Sequence, residues 1–179
     1  RPRFTKGVRW YEEQFHNCYG KVQKGEFSTS YLYSSDAPER IRASYPNIKL
    51  IAILRNPITR AFSQYQNAIK AGEISETTTF AEYKSKELSV IAQGRYAEQL
   101  ERYRTLFPKE QMLVLVYEDI EKDPRAFMQR IYAFIGVDTS FVPSMLHTHV
   151  NVARIPKKIF LERAMHHIAE FLRRVGLDR

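Results

Sequence analysis

The chain has 179 residues, of which 44% are hydrophobic and 27% charged, the length and balance of about one soluble globular domain with a single core. No apolar run is long enough to cross a membrane, and the single cysteine, Cys18, excludes an intrachain disulfide framework and a cysteine-based metal cluster. Lys and Arg number 28 against 20 Asp and Glu; the formal charge of +8 favours an anionic cofactor, an anionic substrate or a polyanion as partner.

In chain order, the turn signal Lys6-Gly7 precedes Val8, Tyr11 and Phe15 at helical spacing, with Trp10 beside them. This predicts a short amphipathic helix whose aromatic stripe is core. From Gly25 to Tyr33, Phe27, Thr29, Tyr31 and Tyr33 share one parity and Glu26, Ser28 and Ser30 the other, the pattern of a strand edge or extended loop with its polar set facing one way. Ser35-Asp36-Ala37-Pro38-Glu39 supplies a cap and an early proline for a helix buried through Ile41 and Tyr45 and ended by Pro46.

The run Leu50-Ile51-Ala52-Ile53-Leu54, bounded by Lys49 and Arg55, predicts a strand buried on both faces, as in a parallel sheet. Asn56 suits an N-cap and Pro57 the first helical position, so a helix to about Ala71, closed by Gly72, follows at once. Such a corner lies at the carboxyl edge of the sheet, and the new helix is expected to direct unpaired N–H groups and a positive dipole end outward. Arg55, Arg60 in the first turn and Ser63 about one turn later suit a phosphate or sulfate monoester. The plainer alternative is a solvated strand end, a surface cation and a serine bonded back into its own helix.

Residues 73–79 read as a polar loop and about 80–88 as a helix; Tyr96, Leu100, Tyr103 and Phe107 predict a helix over 95–107 ended by Pro108. A second strand is expected over 112–117. Glu118-Asp119 then opens a loop into a helix capped by Asp123, begun by Pro124, buried through Phe127, Ile131 and Phe134 and stopped by Gly136. Capping and solvation account for these acids without a metal. His147 and His149 lack a third ligand at a recognisable spacing, and a last helix is expected over about 156–175. No linker or repeat divides the chain, so residues 1–179 read as one three-layer α/β domain in which 48–54 and 112–117 are central strands flanked by helices.

The run Arg55-Asn56-Pro57-x-x-Arg60-x-x-Ser63-x-Tyr65 resembles the 3′-phosphate-binding motif of sulfotransferases that use 3′-phosphoadenosine 5′-phosphosulfate (PAPS). Lys6-Gly7-Val8-x-Trp10-Tyr11, Gly25-Glu26-x-Ser28-x-Ser30-Tyr31, Gly94-x-Tyr96-x-x-x-Leu100 and Glu118-Asp119-x-x-x-Asp123-Pro124 fall in the order of that family. The resemblance runs from residue 4 to about residue 160 and is nearest to the heparan-sulfate-modifying and bacterial branches. It implies a P-loop-like α/β fold. It also implies that Arg55 and Ser63 hold the 3′-phosphate, with Arg60 beside them and Arg154, Lys157 and Lys158 on a loop returning over the cofactor.

Glu26 matches a carboxylate of the family's substrate cleft, which implies that it helps accept the acceptor's proton or orients a catalytic lysine; the plainer alternative is a surface glutamate paired with Lys24 or Lys49, and Phe27 departs from the heparan-sulfate branch, which usually has Lys after that Glu. The donor implied is PAPS, leaving 3′,5′-ADP, without a metal; the partner is a small-molecule or saccharide acceptor, with no nucleic acid expected. The family's Lys-x-Gly-Thr-Thr/Ser loop for the 5′-phosphosulfate has no counterpart in the sequence, and the expectation is that the N-terminal strand and this loop precede residue 1 in a longer protein, or that the chain is a fragment without full machinery. The compartment expected is the cytoplasm, or the Golgi lumen if a longer precursor carries an anchor. Two other readings stay open: a basic, non-catalytic module for glycosaminoglycan or nucleic acid, and another P-loop-like phosphotransferase.

Overall fold

A computed structural model of the chain describes residues 7–17, 23–146 and 148. Its elements are α1 (Gly7–Glu13), α2 (Ala37–Ser44), β1 (Leu50–Leu54), α3 (Pro57–Lys70), α4 (Phe80–Lys86), α5 (Ser89–Ala92), α6 (Tyr96–Arg104), β2 (Met112–Val116), α7 (Glu118–Lys122) and α8 (Pro124–Ile135). They fall into two compact units, one of α1, α2, β1, α6, β2, α7 and α8, the other of α3, α4 and α5.

In the first unit β1 and β2 pair in parallel, from Leu50 opposite Met112 to Leu54 opposite Val116. The Tyr117 N–H extends the ladder by donating to the Leu54 carbonyl at 2.7 Å. The predicted class, α/β with a short parallel sheet and flanking helices, is therefore observed. Burial of β1 on both faces is not: Ile51 and Ile53 are 39% and 45% exposed. Among the described residues each strand has a neighbour on one side only, which leaves edge side chains solvated. Five apolar residues in a row cannot distinguish such a strand from a central one.

The core of this unit is instead carried by Leu100, Tyr103, Phe107, Leu115 and Phe127. Helix α6 is shorter than the predicted 95–107 span, and Phe107, just beyond it, is still buried. The aromatic stripe of α1 is not core: no residue of the helix is fully buried, and Tyr11 packs on Phe15 at 5.3 Å and Tyr45 at 5.8 Å between ring centroids. A two-turn helix has too little length to bury a whole face. Asp36 stands at the N-cap of α2 but makes no capping bond; its carboxylate accepts from Ser35 Oγ at 2.7 Å and Arg40 Nη2 at 3.0 Å instead. The stretch after β2, expected as a loop, is the short helix α7. Asp123 caps α8 as predicted, accepting from the Ala126 N–H at 2.9 Å, and Gly136 ends it at φ 81°.

In the second unit α3 lays Ala61 and Ala68, two turns apart on one face, against Tyr83 of α4 and Val90 of α5. Small residues on that face let the neighbouring helices approach. Thr79 and Glu82 close a reciprocal capping box on α4, which ends at Lys86 rather than near 88. Tyr65 packs among Phe62, Phe80 and Tyr83 and donates its hydroxyl to the Thr78 carbonyl at 2.7 Å, tying down the end of the polar loop. No described helix is long and apolar enough to cross a membrane.

Candidate functional site

The start of α3 allows a full accounting of its backbone donors. Pro57 has no N–H; the N–H groups of Ile58 and Thr59 both donate to Asn56 Oδ1, at 2.9 and 3.3 Å; that of Arg60 donates to the Asn56 carbonyl at 2.9 Å. The expectation of unpaired N–H groups at this terminus is therefore overturned, because the capping side chain that starts the helix also consumes its donors. An anion here must be held by side chains, with the helix dipole contributing only its field.

Three such side chains come from the same unit. Arg55 is half-buried in the two-residue connection between Leu54 and Pro57. Ser63 is half-buried on the second turn of α3, and its hydroxyl makes no hydrogen bond among the described residues, so it is not spent on its own helix. Arg60 is engaged: Nη1 donates to Gln64 Oε1 at 2.8 Å and Gln93 Oε1 at 3.2 Å, and Nη2 donates to the Val90 carbonyl. Arg154, Lys157 and Lys158 lie outside the described residues, as do His147, His149 and Cys18.

The segment that Arg60 grips also touches the first turn of α3 through a glycine. A Cβ at Gly94 would stand 3.0 Å from Pro57 Cβ and 3.3 Å from the Ile91 carbonyl oxygen. A side chain at Gly94 would crowd this approach, which no spacing in the sequence discloses. Gly94→Ala is expected to cost about 1–3 kcal/mol as overpacking, read as a lower urea midpoint with an unchanged slope.

In the other unit Glu26 is exposed on the loop before α2, and the Tyr31 hydroxyl donates to its Oε1. The Glu26 charge also acts on the Tyr11 phenol. Burial, then the Glu26 charge, push the Tyr11 phenol up to about 12; burial and the bond to Glu26 raise Tyr31 well above its ordinary range. Both therefore stay protonated beside the carboxylate, and Tyr31 is its donor. Helix α6 fixes the far end of this loop: Tyr103 Oη donates to the Tyr31 carbonyl at 2.9 Å, and Arg102 Nη2 to those of Leu32 and Tyr33 at 3.3 and 3.2 Å.

Residues 23–28 form no strand and 31–33 make a turn, so Tyr31 comes back toward Glu26 from the opposite parity, and Phe27 is 83% exposed. Alternation assumes a straight backbone, and the turn at 31–33 removes it. Lys49, a plausible partner for Glu26 by charge, donates instead to the Phe134 carbonyl at 2.6 Å.

Comparison with known proteins gives this arrangement its context. The sulfotransferase domain family matches residues 9–158. A mouse heparan sulfate glucosamine 3-O-sulfotransferase 3B1 is 33% identical over 141 residues, covering 75% of this chain and 36% of that protein. A human bifunctional heparan sulfate N-deacetylase/N-sulfotransferase 2 is 28% identical over 150 residues, 76% of this chain and 17% of that protein. The chain thus spans little more than a third of the first of these relatives, and less of the second. A crystal structure of a sulfotransferase from Alicyclobacillus acidocaldarius superposes with a TM-score of 0.72 at 29% identity, covering 97% of this chain and 73% of the other. By family match, sequence identity and a shared P-loop-like α/β fold, the chain belongs to the sulfotransferase domain family.

Proposed function

We propose that the chain works as a PAPS-dependent sulfotransferase whose Arg55 and Ser63 bind the cofactor's 3′-phosphate. What supports this is a Ser63 hydroxyl without a hydrogen bond among the described residues, eight positions after Arg55 on a helix whose N-terminal backbone donors are already used. A guanidinium and a hydroxyl suit a phosphate monoester, and the donor set fits the group. Bound PAPS supplies the sulfuryl group that passes to the acceptor, leaving 3′,5′-ADP.

The chain's own part is charge and proton management. Arg55 neutralises the 3′-phosphate and sets the cofactor's register. Glu26, held by the phenol of Tyr31, takes the proton that the acceptor hydroxyl or amine must lose. Arg154, Lys157 and Lys158 are proposed as further cations for the cofactor. The acceptor class is a saccharide, since relatives named for O- and N-sulfation of heparan sulfate share most of this chain's length.

Calorimetric titration with 3′,5′-ADP tests the reading. The chain is expected to bind one equivalent, and Arg55→Ala to weaken binding by about 1–3 kcal/mol, the weight of a hydrogen-bonded charge. Binding that ignores Arg55 and Ser63 but collapses steeply with salt would mark a general polyanion module instead.

A further inference from the structure

We propose that Arg60 is a positioning residue and not an anion ligand: it holds residues 90–94 on the first two turns of α3, and so keeps Arg55 and Ser63 in the arrangement that takes a phosphate. The proposal rests on the PAPS reading for the identity of that phosphate.

The argument is a count of donors. A guanidinium carries five N–H bonds, two on each terminal nitrogen and one on Nε. Both on Nη1 are spent, on Gln64 Oε1 and Gln93 Oε1, and one on Nη2 is spent on the Val90 carbonyl. Nε is buried without a partner among the described residues, out of reach of a ligand. One Nη2 hydrogen remains. It cannot form the two parallel bonds by which arginine grips a phosphate.

What Arg60 grips is itself fixed to α3. Val90 is fully buried against Ala61 and Ala68, and Gly94 sits where a Cβ would meet Pro57 at 3.0 Å. Gln64, one turn beyond Arg60, keeps this brace on α3 itself. Arg60 therefore joins α3 to α5 and the residue that follows it within one network, at the level of α3 where Ser63 stands. Removing its fork frees the 90–94 segment from the α3 N-terminus and leaves a carbonyl and two amides without their shared donor.

A binding cycle with Arg60→Met, Gln93→Ala and Arg55→Ala tests this, with 3′,5′-ADP as the probe and circular dichroism confirming that each variant is folded at the temperature used. Arg60→Met and Gln93→Ala are each expected to weaken binding by about five- to tenfold, and the double variant no more than the weaker-binding single one, because both remove one brace. In the Arg55→Ala background, where the phosphate contact is already lost, neither should cost more.

Loss in Arg60→Met with Gln93→Ala unchanged would make Arg60 a direct ligand and overturn the proposal. An unchanged affinity in both would overturn it too. So would an equal loss with and without Arg55, which would mean general loosening of the unit. Absence of 3′,5′-ADP binding by the unsubstituted chain is a separate outcome that removes the PAPS reading itself and this proposal with it.

Discussion

Phe107→Ala is expected to lower the unfolding free energy by about 3–5 kcal/mol, a large part of the roughly 5–15 kcal/mol that holds a domain together. Phe107 is 2% exposed, stacks on Tyr103 at 6.2 Å between centroids, and has the Arg42 guanidinium 5.8 Å from its ring centre. Alanine deletes the ring from a position where α6 has just ended and the backbone is held by the Phe107 N–H bond to the Tyr103 carbonyl, so the site has little freedom to collapse. The measurement is a urea titration read by near-ultraviolet circular dichroism. The companion Phe27→Ala, at a residue 83% exposed, should stay within about 0.5 kcal/mol. Equal losses in the two would mean that burial is not what Phe107 contributes.

Phe107 also marks how far periodicity reads this fold. Its place in the series Tyr96, Leu100, Tyr103, Phe107 identified a buried residue correctly, although the helix ends at Arg104. Burial outlasted the helix. Local chemistry was legible wherever a single residue starts or stops an element, since Asn56 and Pro57 start α3, Asp123 and Pro124 start α8, and Gly136 stops it. It failed at Asp36, where Ser35 and Arg40 compete successfully for the carboxylate that would have capped α2. Propensity names the candidate cap, and the neighbours decide whether it is used.

The site divides along the same line. Arg55 and Ser63 could be singled out because a strand, a cap and a helix place them within one short stretch of chain. Arg60 belongs to that stretch as well, yet its partners Val90 and Gln93 lie 30 and 33 residues on, and only packing of α5 against α3 brings them to it. A charged residue read by spacing alone looks available. The structure shows its donors taken. The phenols around Glu26 were hidden for a related reason: Tyr11 comes from another helix, and Tyr31 is turned back by a loop that α6 fastens.

Glu26→Gln is expected to reduce turnover of an acceptor with PAPS by about 10²- to 10⁴-fold, the range of a lost general base, with little change in affinity for 3′,5′-ADP. Glutamine keeps the size of the side chain and an oxygen for Tyr31, so the loop retains its anchor while the charge proposed to accept the proton is lost. An alkaline titration of phenolate absorbance checks this without relying on activity. Tyr11, at about 12, and Tyr31 should both titrate lower in Glu26→Gln, because the carboxylate contributes to raising each. Tyr103, also at about 12, is raised by burial and should not move.

The sign for stability follows from linkage. These three phenols keep their protons in the native chain at a pH where the unfolded chain, near the ordinary value of 10.0, has begun to lose them. Their contribution is complete below pH 10 and falls as pH rises toward 12, and the substitution should soften that fall. A variant with full turnover but lowered Tyr11 and Tyr31 titrations would assign Glu26 to holding the loop and remove it from proton transfer. Loss of turnover together with those shifts would place the proton on Glu26, with Tyr31 as the donor that aims it.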